Sequence, residues 1–264
     1  MNEKKSHISG IYNYCDRWCE RCNFTSKCLL FTNESKITTH QILNNGELPD
    51  FDKVFNFTDE SEENSDSEFN EQDDDFFEFD DDEENEDPFY NDLPDFEDNQ
   101  YAEDRKQRDE TVKNNTLAKL GDEYFNSAQS LLKKINGKYE LYSRAKEKVD
   151  NKFILQVYEG FEVLEWFHMF IFVKIKRALS GKWSYDKESD EELKEIDVYD
   201  MNGTAKIALI AVENSIQSLN KLFNNLEEFK KEIEALLVTA GRLLNEMEKV
   251  FPDCRSFVRP GLDE

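Results

Sequence analysis

Glycine is scarce in this chain, with 9 in 264 residues. None falls in a phosphate-cradling loop or a Gly-x-Ser-x-Gly elbow, so the nucleotide-binding and serine-hydrolase classes lack their signatures. Histidine is scarcer: His7, His40 and His168 are the full set, and no His-Glu-x-x-His pattern occurs. Long apolar runs are missing too. The longest surrounds Val163 to Val173, is broken by Glu165 and His168, and falls far short of the roughly 20 residues that a membrane span needs. No apolar stretch follows the opening Met-Asn-Glu-Lys-Lys-Ser-His, so a secretory signal is not expected. Alternating β-branched runs and fixed-period repeats are also absent. The expectation is a soluble, helical chain with no membrane partner.

Positive charge is missing from one long stretch. No Lys or Arg stands between Lys53 and Arg105, and residues 54–104 hold 24 Asp and Glu. The formal charge of −26 is therefore local, because the remaining residues carry 33 basic against 35 acidic side chains. Residues 59–104 read as a disordered acidic linker, since like charges repel and no periodic apolar face offsets the entropy of ordering. Aromatics set among the acids from Phe69 to Phe96 open a second reading, in which the segment orders on a basic protein partner and imitates nucleic acid. Direct nucleic-acid binding is not expected, because such acidity repels phosphates.

Against these shortages stands a local abundance. Cys15, Cys19, Cys22 and Cys28 fall within 14 residues, written CDRWCERCNFTSKC, with Cys254 alone near the C-terminus. A secreted disulfide scaffold spreads its cysteines, so this usage points to a reducing, cytoplasmic setting. Thiolates select zinc, copper(I) or iron–sulfur clusters. Structural zinc sites usually use two Cys-x-x-Cys pairs separated by a longer loop. Four ligands in one short run stand closer to the compact patterns that hold [4Fe–4S] clusters. The expected cofactor is thus a [4Fe–4S] cluster on the four cysteines, with zinc as the alternative and a redox disulfide pair as the reading without metal. Tyr12, Tyr14, Trp18, Phe24 and Phe31 are dense enough to wall off such a centre.

The first three cysteines have the C-x3-C-x2-C spacing of radical S-adenosylmethionine enzymes. Arg21 stands where those enzymes usually place an aromatic residue, and the helical remainder supplies no β/α barrel. Cys19, Cys22 and Cys28, with Phe24 and Phe31, resemble more closely the C-x2-C-x5-C end of the iron–sulfur staple in RecB-like exonucleases. That resemblance implies a cluster and covers about 13 residues; no nuclease core accompanies it. As a whole the chain resembles bacterial proteins with a cysteine-rich N-terminus and a helical body.

From Asp109 to Val250 the pattern is helical. Leu117, Leu120, Tyr124, Phe125, Ala128, Leu131 and Leu132 recur at steps of three and four, giving one apolar face. Asn136-Gly137, Ser180-Gly181 and Pro252 read as stops, Lys182 to Asp200 as a charged connection, and Asn202-Gly203 as the lead into a third helix. The spacing predicts an all-α, antiparallel four-helix-type bundle over 105–251. Before it come a cysteine-rich unit at 8–31, a polar connection at 32–58 with one short helix, and the acidic linker. A tail at 252–264 follows, and packs either across the bundle or beside the cysteines.

A second metal site is conceivable inside that bundle. Glu165 and His168 share a helical face, and Glu-x-x-His resembles the ligand pair of ferritin-like di-iron proteins. Glu123, Glu213 and Glu246 are the partners this implies, although the chain has no second Glu-x-x-His. Lys206 and Glu213 share a face two turns apart, as a solvated stripe or a polar pair. Lys174, Lys176 and Arg177 read as cations complementing a helix C-terminus or receiving the acidic segment. The function expected is a non-catalytic metal-binding interaction or scaffold protein. The alternatives are a redox protein or electron carrier with a second metal in the bundle, and an acidic nucleic-acid mimic.

Overall fold

A computed structural model describes residues 7–49, 99–144 and 152–263, and its regular structure among those residues is all helical. The helices are α1 (Leu29–Leu43), α2 (Asn99–Asn114), α3 (Thr116–Tyr139), α4 (Lys152–Lys187), α5 (Glu191–Asn225) and α6 (Lys230–Val250), with a single turn at Leu141–Arg144. The described residues divide into two units, 7–31 with 104–263, and 32–49 with 99–103. In the smaller unit the polar connection contains most of α1, none of whose residues is buried. The acidic linker read over 59–104 lies outside the described residues as far as 98; residues 99–104 belong instead to α2.

In the larger unit α3, α4, α5 and α6 form a ring in which each helix packs on two neighbours. The pairs run antiparallel. Asp122 of α3 meets Lys176 of α4 at 3.2 Å while Tyr139 meets Phe153. Likewise Lys134 of α3 meets Glu232 of α6 at 3.3 Å, and Glu123 meets Arg242 at 3.9 Å. Between α4 and α5, Glu159 faces Lys221 and Arg177 faces Asp200. This is the up-and-down order that short connections favour.

The sequence explains each helix. On α4, Ile154, Val157, Phe161, Leu164, Phe167, Ile171, Ile175 and Ala178 are buried at steps of three and four, one continuous stripe. Asn115 caps α3 by accepting from the Leu117 amide at 2.8 Å. Asp190 caps α5 through the amides of Glu192 and Leu193, satisfying two of the orphan donors of the first turn.

Three expected boundaries move. Helix α3 runs through Asn136-Gly137, α4 runs past Gly181 to Lys187, and α5 takes in Gly203 and the charged connection from Glu191 onward. Two of these glycines are packing notches. A Cβ on Gly181 would stand 3.2 Å from Met201 Cβ, and one on Gly203 would stand 2.4 Å from Tyr14 Cε1. Because α4 continues, Lys176 and Arg177 do not sit at its C-terminus and pair instead with Asp122 and Asp200.

The start of α6 is tied to the end of α3 by Glu228, which accepts from Tyr139 Oη at 2.6 Å and pairs with Lys138 at 2.5 Å. Those donors hold the carboxyl at about 2, below its ordinary range. A lowered folded-state pKa means that the stability is present above the unfolded value of about 4.3 and is lost as pH falls toward the folded one. Urea melts are therefore expected to show a loss between those two values that Glu228→Gln flattens. The pair is solvent-exposed, so the effect is about 1 kcal/mol or less.

Candidate metal centre

The N-terminal unit is built from tight turns rather than a core. Gly10 takes a positive φ of 72° and accepts from the Asn13 amide at 2.9 Å. Asp16 Oδ1 accepts from the Trp18 amide at 3.1 Å, and two 3-10 turns follow at Cys19–Arg21 and Thr25–Lys27. Ile8 closes the unit by donating to the Lys27 carbonyl at 3.0 Å.

This folding brings Cys15, Cys19, Cys22 and Cys28 to the wall of one small cavity of about 30 Å³. Tyr12, Trp18, Phe24 and Phe31 share that wall as the sequence suggested, joined by Ile11 and by Leu262 of the tail. Tyr14 turns the other way, onto the bundle. Asp16, Arg17 and Thr25 also border the cavity, but the surface it presents is mostly apolar, a setting that lowers the dielectric around a metal–thiolate bond. Two backbone amides already point at sulfur: Phe24 N–H to Cys22 Sγ and Phe31 N–H to Cys28 Sγ, each 3.4 Å. Such donors stabilise thiolates and tune cluster potentials. Cys15 differs, since its thiol donates to the Tyr12 carbonyl at 3.5 Å and burial pushes its pKa up. As the side chains are oriented, no three Cys, His, Asp or Glu among the described residues stand close enough to hold an ion. Binding would therefore require deprotonation and rotation of the thiols into the cavity they line.

The unit is anchored to the bundle at two points. Trp18, buried, stacks on Trp166 of α4 with ring centroids 5.1 Å apart and meets Phe167 edge-on at 5.9 Å. Arg21 lies over Trp18 at 4.1 Å and pairs with Glu162, while Trp166 Nε1 donates to the Asp16 carbonyl at 3.0 Å. On the other side Tyr14 lies against Gly203 of α5, donates to Asp200 at 3.3 Å and makes edge contacts with Tyr199 and Phe257. The tail supports both settings. Leu262 reaches the cysteine cavity, Ile8 packs on Gly261, and Arg255 pairs with Glu213 at 2.9 Å and with Glu248. The tail thus packs across the bundle and beside the cysteines at once. Its buried Cys254 stands apart from the other four.

The second site read in the bundle is not brought together. Glu165 accepts from Tyr142, while His168 donates to the Glu165 carbonyl at 2.7 Å and stacks on Phe125 at 5.3 Å. Glu123 faces Arg242 and Thr239, Glu213 faces Arg255, and Glu246 pairs with Lys249 at 3.0 Å. None of the five is buried, because apolar stripes take the inward positions of all four helices. Lys206 and Glu213 join through the tail: Lys206 Nζ donates to the Arg255 carbonyl at 2.6 Å.

Two further clefts border the cysteine unit. One, of about 230 Å³, has Asp16 and Arg21 on one side and Glu159, Asn214 and Lys221 on the other. The second, of about 450 Å³, lies between the Tyr12 to Arg17 turn and Lys174, Arg177 and Asp200. Neither was visible in the sequence, since each joins residues more than a hundred positions apart. The only local signal was the basic run at Lys174 to Arg177.

No family model, curated protein or solved structure matches the chain. What fold and site define is an all-α four-helix bundle carrying a docked, cysteine-lined turn unit. No helix among the described residues is long and apolar enough to cross a membrane.

Proposed function

We propose that this is a non-catalytic metal-binding interaction protein whose cysteines at 15, 19, 22 and 28 hold a [4Fe–4S] cluster. The observation that carries the reading is that all four cysteine residues line one small cavity. Filling every ligand position with cysteine leaves no open site for substrate, so the centre staples the N-terminal turns and presents them on the bundle. The acidic stretch, with 24 Asp and Glu and no basic residue, is complementary in charge to a basic protein partner. The clustered cysteine usage supports a reducing, cytoplasmic setting.

Zinc is the second reading, and one observation favours it. A cavity of about 30 Å³ is nearer the size of a single ion than of a cubane, and either centre requires the thiols to rotate, since no three of them stand close enough to hold an ion as oriented. Elemental analysis, acid-labile sulfide and a visible spectrum on protein purified without oxygen decide between them. About four irons with matching sulfide and a brown chromophore are expected for the cluster. One zinc without colour identifies a closed structural site. Protein that binds neither metal ends the proposal.

A further inference from the structure

Three features of the larger unit lie outside the cysteine cavity: an apolar stripe on α4, the cleft beside Glu159 and the cleft beside Lys174. Trp166, Met169 and Val173 make the stripe; Trp18 stacks on Trp166, and nothing in the structure indicates what covers the other two. The cleft beside Glu159 balances its charges, with Arg21 and Lys221 against Asp16 and Glu159, and so selects no ligand.

The third cleft does select. Among the described residues Lys174 and Arg177 face it, with Arg17 beside them, and a single carboxylate, Asp200, is already shared by Arg177 at 3.1 Å and Tyr14 at 3.3 Å. Lys174 is half-buried, lies over the Phe170 ring at 5.3 Å, and has no carboxylate in ion-pair reach among the described residues. A cation partly withdrawn from water, with Asp200 and Cys15 as its counter-charges only beyond ion-pair reach, is costly, and an anion in the cleft relieves that cost. Arg17 stands on the same wall with a left-handed φ of 59°, in the turn that Asp16 Oδ1 closes by accepting from the Trp18 amide. The volume, about 450 Å³, lies within the range of small-ligand sites.

We propose that this cleft binds a small phosphate-bearing anion, free phosphate or a compact phosphoester. The forked guanidinium groups match phosphate oxygens, the Lys174 ammonium supplies a point charge, and the Tyr12 and Asn13 side chains on the cleft wall offer neutral donors. The site stands without the metal. It shares Tyr12, Cys15 and Arg17 with the cysteine cavity, so an occupant would border the thiols directly.

Calorimetric titration of the full chain with inorganic phosphate and with pyrophosphate tests this, using acetate as the monoanion comparison. Saturable binding of either phosphate probe, with acetate much weaker, is expected. Tighter pyrophosphate assigns a phosphoester, and equal affinity assigns free phosphate. Arg17→Gly keeps the left-handed backbone and removes the guanidinium; Lys174→Gln removes the ammonium on a stable helix. Each is expected to weaken binding about tenfold or more, the loss of one charge-assisted bond. Lys231→Gln, at the far end of the bundle, is expected to change nothing. Should Arg17→Gly melt early, Lys174→Gln alone decides. Absence of saturable phosphate binding overturns the site. So does binding that both variants leave intact, a change confined to metal content, or affinity for an oligonucleotide without affinity for either probe.

Discussion

Replacing Cys19 and Cys22 together with serine is expected to release the proposed metal and unfold residues 8–31, while the bundle still melts as one cooperative unit. The asymmetry follows from how each part is held. The bundle has its own core, in which Tyr124, Phe161, Leu164, Ile171, Leu219 and Leu243 are buried almost completely. The N-terminal turns bury only Ile11, Tyr14 and Trp18 of their own, and units this small usually need a metal or disulfide to fold. Serine cannot replace thiolate as a soft ligand. A structural metal contributes an apparent binding free energy of about 10–16 kcal/mol at zinc-type sites, so losing two ligands removes most of it. The near-ultraviolet signal of the Trp18–Trp166 stack should fade as metal is lost, with helical content little changed. Full metal occupancy in the double variant would sink the assignment of these cysteines. A bundle that unfolds along with them would show that the turns are part of its core.

How much of this was legible depended on whether the deciding contact was local. The stripe on α3 was readable because its burial repeats every turn: of the residues forming it, only Phe125 is not fully buried, and that ring stacks on His168 and Phe172. That Cys15, Cys19, Cys22 and Cys28 line one small cavity is also a local matter, since the turns between them are short. The di-iron reading failed to gather its residues because it assumed that Glu123, Glu165, Glu213 and Glu246 face inward. Each instead finds a partner on the outer surface. The ladder of Glu159, Glu162, Glu165 and His168 on α4 shows how this happens. Successive steps of three rotate around the helix, and the four side chains reach Lys221, Arg21, Tyr142 and Phe125 in turn. The anchoring role of Trp18 and Trp166 was hidden because nothing in either neighbourhood indicates the other.

The glycines carry the same lesson in a form that can be measured, because two alanine substitutions are expected to have opposite signs. Gly137, inside α3, has nothing within 4 Å of an added Cβ. Gly137→Ala should therefore stabilise the protein by up to about 1 kcal/mol, through helix propensity and reduced freedom of the unfolded chain. Gly203 is also interior to a helix, so propensity alone predicts the same gain. Its Cβ, however, would meet the Tyr14 ring at 2.4, 2.6 and 2.8 Å. That ring cannot simply step aside, being buried, bonded to Asp200 and bracketed by Tyr199 and Phe257. Overpacking of this kind costs about 1–3 kcal/mol, which outweighs the propensity gain. Gly203→Ala should lower the melting temperature and loosen the N-terminal unit, measured as faster amide exchange over residues 8–31. Combining it with Tyr14→Ala should restore the propensity gain, because the clash and its cost disappear together. If Gly203→Ala stabilises as Gly137→Ala does, Tyr14 does not rest on α5 in solution. The docking of the cysteine unit would then depend on the Trp18 anchor alone.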